Sequence, residues 1–287
     1  MPPTPISIVR RRIDIDFDSA ATEHWFPSLD IEALLNAISF FFPAGEKFFI
    51  ESVQNYMGQI TDPILKEQAL SFIYQEAMHT KMHSRCNRLL SRKHPNSRQI
   101  ERVSEGLLNL AKRFTPKPTQ LAITCALEHF TALLADSLLQ TLEAFIDQSQ
   151  PAFGKLWAWH AVEETEHKAV CFDVYRQVVG TGPIAYLNRA FTMAVTSLIF
   201  IAAIGLGMTL LKLGNRHAYS VAKPHFKTQS SPRNASRFGR RNLFELLGPR
   251  IPLRLYFDYY RPSFHPWDHD NAHLIDQWKR RFPNIGG

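Results

Sequence analysis

Between Trp159 and Val170 the chain reads WHAVEETEHKAV, a run that holds two histidines and three glutamates. A solvated charged helix face has no need of the histidines. Side chains three and four apart on a helix are neighbours and can reach one ion. At about 100° per residue, Glu164 lies about 40° to one side of His160 and His167 about 20° to the other. These three share a narrow stripe, with Glu163 at its edge and Glu166 well off it. Glu164 and His167 thus form an ExxH pair with His160 one turn upstream. A second ExxH pair, Glu76 and His79, stands in YQEAMHTKMH. His83, one turn beyond His79, is left outside the site. HExxH is absent, and HAVEE lacks the second histidine of the inverted zinc-protease motif because Glu164 stands there. Zinc proteolysis is therefore a poor fit.

Two ExxH pairs on separate helices, with one inward glutamate on each of two more, are the ligand set of a ferritin-like di-metal carboxylate bundle. PAGEKFFIE offers Glu46 and Glu51. They lie about 140° apart on a helix, so both cannot face inward. Glu46 shares its face with Phe49, Ile50 and Val53 and is the better candidate. ITCALEHFTALLAD sets Glu128 among Leu121, Cys125, Ala132 and Ala135, where a carboxylate is costly unless paired or metal-bound. Any one of these residues alone reads as a satisfied core polar group; their order along the chain is what points to metal. His160 is either a ligand or a support for one. Cys125 and Cys171 either line a cavity near the metals or are small core residues. Carboxylates mixed with imidazoles suit iron or manganese, with zinc as a further alternative.

The elements that must carry these residues read as helices, with no alternating strand pattern and no internal repeat. Residues 29–57 have a helical period, expected to break or kink near Pro43–Gly45. Asp62 and Pro63 open a long helix to about Arg92. HPNS is a turn, a shorter helix covers about 97–113, and single helices follow over about 117–148 and 151–180. Residues 190–211, AFTMAVTSLIFIAAIGLGMTLL, carry no charge. Spanning a bilayer takes about 20 such residues, but Thr, Ser and Gly temper this stretch. A buried bundle helix is the preferred reading and membrane insertion the alternative. The expected organisation is an all-α, ferritin-like helical bundle over 1–214, including helix 190–211. A basic linker and C-terminal helices over 215–287, near 240–247 and 268–281, then pack back on it.

The hydrophobic fraction of 45% in 287 residues is that of a globular chain. Three cysteines, Cys86, Cys125 and Cys171, stand singly. That speaks for a reducing, cytoplasmic setting and against a thiolate site. The basic N-terminal cluster has no apolar run behind it, so it is not read as a secretory signal. The net charge of +7 is concentrated between Lys212 and Arg261, where eleven Lys/Arg face Glu245 and Asp258. This segment is either a solvated connector or a patch for anionic lipid. No finger, RNP or helix-turn-helix pattern accompanies it, which excludes nucleic acid as the expected partner.

VRRRIDIDF, HWFP, FFPAGEKFF, YQEAMHTKMH, ALEHFTA and WHAVEETEHKAVCFDVY together resemble the family of predicted metal-dependent hydrolases, over nearly the whole chain. The chain also resembles the di-iron N-oxygenases typified by p-aminobenzoate N-oxygenase. In that group a histidine four residues before the glutamate of the second ExxH is a seventh ligand. His160, Glu164 and His167 stand in that relation. The resemblance implies Glu46, Glu76, His79, Glu128, His160, Glu164 and His167 as ligands of two metal ions, iron first. It implies an O2-dependent oxygenase or oxidase acting on an apolar or amphipathic small molecule. Electrons would come from an external donor, since no flavin or nicotinamide fingerprint is visible. The alternative is a metal-dependent hydrolase that uses a metal-activated water, with Glu163 as base. A third reading is a non-catalytic metal-binding or membrane-associated protein. Contact with a membrane surface through 190–241 and a homodimer complete the expected partners.

Overall fold

The computed structural model describes residues 6–17, 20, 24–215 and 253–283. Ser28 accepts from the Ile31 N–H, and Asp30 and Glu32 occupy the first turn of α1, Leu29–Gln54. An oxygen cap and early acids both favour a helix start. Contrary to expectation, α1 runs unbroken through Pro43. Proline has no N–H for the carbonyl four residues back, here that of Ser39. Asn87, on α2 (Pro63–Ser91), supplies the missing donor: its Nδ2 reaches the Ser39 oxygen at 2.8 Å. The break is repaired from the neighbouring helix.

Asp62 caps α2 through the Ile64 and Leu65 N–H groups, with Pro63 in the first turn, as expected. Two short-range helices follow, α3 (Ser97–Phe114) and α4 (Lys117–Gln140). The single helix expected over 117–148 ends at Gln140. α5 (Leu142–Gln148) restarts it after Thr141, whose hydroxyl bonds back to the Ser137 and Leu138 carbonyls. The helix expected over 151–180 is also two, α6 (Pro151–His167) and α7 (Val170–Val178). The interruption falls directly behind His167. There Lys168 turns its ammonium onto the His269 carbonyl and Asn271 Oδ1 at 2.8 and 2.7 Å. α8 (Pro183–Gly214), α9 (Leu253–Asp258) and α10 (Ala272–Arg281) complete an all-α fold, with no strand among the described residues. α9 was not anticipated. The linker and the helix expected near 240–247 lie outside the described residues.

α1 packs along α2, α4 lies against α6, and α8 covers α1, α3 and α4 from outside. Gly207 permits the close approach of α8 to α1, because a Cβ there would lie 3.2 Å from the Ala37 Cβ. The central-helix reading of 190–211 is corrected: only one face of α8 is core. Ala203, Ile204, Gly207 and Leu211 are buried, while Leu187, Phe191, Leu198 and Ile201 are 62–73% exposed. α1, α4 and α8 are each long and apolar enough to cross a membrane. α1 and α4 place charge-capable glutamates in the interior instead.

The N-terminal segment is an extended strap. Arg11, Ile13, Ile15 and Phe17 are buried and the residues between them exposed, the alternation of an extended chain with one covered face.

Candidate metal centre

The four helices α1, α2, α4 and α6 each direct carboxylate or imidazole side chains into one buried place. Glu46 comes from α1, Glu76 and His79 from α2, Glu128 from α4, and His160, Glu164 and His167 from α6. All seven are 0–3% exposed. The structure brings every one of them together. Glu76, Glu128, Glu164 and His167 form one group whose ligand atoms lie within 4.8 Å of one another. His79, His160 and Glu164 form a second, and Glu46, Glu76 and His79 a third. Three of the carboxylates, Glu46, Glu76 and Glu164, belong to more than one such group.

His160 Nε2 and Glu164 Oε1 stand at hydrogen-bond distance, 2.9 Å, while the other separations are longer. His167 Nε2 stands 3.2 Å from Glu76 Oε1, 3.4 Å from Glu128 Oε2 and 3.5 Å from Glu164 Oε2. His79 Nδ1 stands 3.7 Å from Glu76 and 3.6 Å from Glu164. Both oxygens of Glu46, Glu76 and Glu128 lack a hydrogen-bond partner, as do His79 Nδ1, His167 Nε2 and Glu164 Oε2. Buried polar groups are nearly always satisfied, so a convergent set of orphans needs a partner of its own. A cation meets that need, and the donor set of carboxylates and imidazoles without thiolate fits borderline or hard divalent metals.

Electrostatics point the same way. Burial, with the neighbouring carboxylates, drives Glu46 and Glu76 well above the ordinary carboxylate range. Burial and Glu164 push Glu128 up to about 7. Burial would also raise Glu164, but His167 and His160 outweigh it and hold it well below. Burial pushes His79 down to about 3 and His160 down to about 4. Without added positive charge, the glutamates cannot all ionise together.

Each histidine is oriented through the nitrogen that faces away from the cluster. His79 Nε2 meets Glu163 Oε2 at 3.1 Å, His167 Nδ1 meets Gln75 Oε1 at 2.8 Å, and His160 Nδ1 meets His83 Nε2 at 2.9 Å. His83 is in turn held by Ser39 Oγ at 2.8 Å, and that hydroxyl donates to Asn87 Oδ1. Such partners fix ring orientation and tautomer in metal sites. His83 therefore belongs to the centre after all, and its nitrogens also lie within reach of Glu46 and His160. Glu163, expected at the stripe's edge, is a support rather than a free base. It accepts from Trp159 Nε1 at 2.9 Å and from Arg11 at 3.3 Å.

Arg11 was missed entirely. From the strap it reaches Glu166 Oε1 at 2.5 Å and Oε2 at 2.7 Å, while Gln75 Nε2 bonds the Val9 carbonyl at 3.0 Å. The alternation of RIDIDF was the one available signal for this segment. Cys125 is buried and lines a cavity of about 390 Å³ that reaches Glu128; Cys171 is buried in the core and does not line it.

Fold and cluster together define an all-helical protein with a buried carboxylate–imidazole centre of the kind that holds metal ions. The chain matches the family described as predicted metal-dependent hydrolases over residues 9–270, and it belongs to that family. No curated protein and no solved structure matches it.

Proposed function

We propose that the seven residues hold two metal ions and that this pair is the reactive group of a hydrolase acting on a small molecule. The observation that carries the reading is the set of orphaned ligand atoms from four helices, in a chain of this family. When bound, a metal pair supplies Lewis acidity and lowers the pKa of water toward neutrality. The chain's own residues hold and orient. Glu163, Gln75 and His83 fix the three imidazoles. Phe42 stacks on His160 at 4.4 Å, and Phe72 and Trp159 stand edge-on to His167 and His79 at 4.9 Å each, so aromatic walls exclude bulk water. The base role expected of Glu163 is not carried forward, because Arg11, Trp159 and His79 already occupy its oxygens.

A second reading, an O2-dependent di-iron oxygenase or oxidase, is favoured by one specific observation. A glutamate from each of α1 and α4 and an ExxH pair from each of α2 and α6 reproduce the ligand order of di-iron carboxylate bundles. One experiment separates the two. Metal content is measured on untagged protein, followed by ester hydrolysis under argon and O2 uptake by the ferrous form. Anaerobic turnover with zinc or manganese supports hydrolysis. O2 consumption with two irons per chain, and no anaerobic turnover, replaces it with the oxidative reading.

A further inference from the structure

Behind α8 lies an apolar cavity of about 140 Å³, walled by α1, α3, α4 and α8. Phe41, Gly45, Leu107, Leu127 and Phe200 are among its lining, and Ile199, 46% exposed, puts its outer wall on the face of α8. Two of its three lining hydroxyls are turned to the backbone, Ser104 Oγ donating to the Phe41 carbonyl and Thr131 Oγ1 to that of Glu128, which leaves Thr196 as the third polar side chain in an otherwise apolar lining. Water needs two or more polar partners in such a space, and an apolar cavity of ~150 Å³ stays dry and takes up hydrocarbons. At the inner end, Phe42 and Thr131 also line a small recess of about 40 Å³ whose wall includes His160 and Glu164. Phe42 and Thr131 are thus common to the walls of the apolar cavity and of the recess beside His160 and Glu164.

We propose that this cavity is a binding site for a hydrocarbon chain, entering from the α8 face and directed toward the centre past Phe42 and Thr131. The proposal rests on the metal-enzyme reading only for the direction of the chain. Binding itself is independent of which reaction the metals run. The chain belongs either to a free amphiphile or to a lipid. The second source has two observations on its side. Leu187, Phe191, Leu198 and Ile201 give α8 an outward apolar face, which Leu253 and Phe257 of α9 extend; α9 is tied to α8 by Tyr256 Oη and Ser197 Oγ at 2.8 Å. The sequence after Lys212 is strongly basic, as an anionic lipid surface would select.

The site is tested with decanoate by calorimetry on metal-loaded full-length protein. Gly45→Leu and Ala203→Phe fill the cavity from opposite walls. At Gly45 a Cβ would meet only Phe49 Cζ, at 3.9 Å, so the added side chain finds space. Wild type binds, and each variant weakens binding by about tenfold or more while keeping its metal content and melting temperature. Equal binding by folded variants, or no binding by wild type in either arm, overturns the site. A second arm uses vesicles of phosphatidylcholine with and without phosphatidylglycerol. Co-sedimentation that needs the anionic lipid, and is reduced by filling the cavity, assigns the chain to a bilayer. Decanoate binding without co-sedimentation assigns it to a free amphiphile. Loss of metal with decanoate binding retained would sink the metal reading and leave this site standing.

Discussion

At the scale of single residues, the centre is a set of candidate ligands and the residues that aim them. Glu164 lies in two of the candidate ligand groups, so under the proposed two-ion assignment its loss disturbs both sites. Glu164→Ala should lower the metal content of purified protein, by mass spectrometry, from two per chain to one or none. Two per chain in that variant would contradict the assignment. Arg11 is buried against two buried carboxylates. Removing one partner of a buried pair costs about 3–5 kcal/mol. Arg11→Met should therefore lower the unfolding free energy, measured by urea denaturation, by an amount of that order and loosen His79 through Glu163. His94, pushed by burial down to about 4, gives a pH dependence away from the cluster. A histidine with a depressed folded pKa is protonated first in the unfolded chain, so its contribution is present above pH 6.5 and lost as pH falls toward 4. His94→Gln should flatten the acid loss of stability by about 2–3 kcal/mol, read from denaturation at pH 7 and pH 4. The seven cluster residues were legible because ExxH spacing and helix angle are local properties. Gln75, His83 and Arg11 were not. Their roles depend on partners in other parts of the chain, and nothing about a glutamine, a third histidine or one of three arginines announces a partner.

At the scale of elements, existence was more legible than ends. Capping by Asp62 and the helical period of 117–148 were there to read. The interruptions at Thr141 and behind His167 were not, because they are set by a side chain folding back and by Lys168 reaching a later segment. Pro43 shows the opposite error. A helix interior proline predicts a break from local chemistry alone, and the repair sits 48 positions along the chain, where Asn87 meets Ser39. Asn87→Leu should leave a buried carbonyl unsatisfied and cost about 1–3 kcal/mol. It should also loosen the Ser39–His83–His160 relay, so weaker metal retention during dialysis is expected alongside the lower melting temperature.

At the scale of the molecule, the features divide by distance from the centre. α1, α2, α4 and α6 are inward-looking and carry the candidate ligands. α8 looks both ways, one stripe closing the core over Gly207 and the other offered to the surroundings. Twenty-two uncharged residues fit a core helix and a membrane-facing helix equally well, since both are apolar and composition carries no record of which side is covered.

The strap gives the centre an order of assembly. Val9 and Arg11 bond Glu166 across separations of 157 and 155 residues. In a growing chain these residues emerge before α1, α2 and α4, and their partner on α6 emerges only after those helices. The segment that pins the centre is therefore made before the helices it pins and can close only after α6 has emerged. Until it does, the pair of helices carrying both ExxH motifs lacks the clasp that ties the Val9 carbonyl to Gln75 and Arg11 to Glu166.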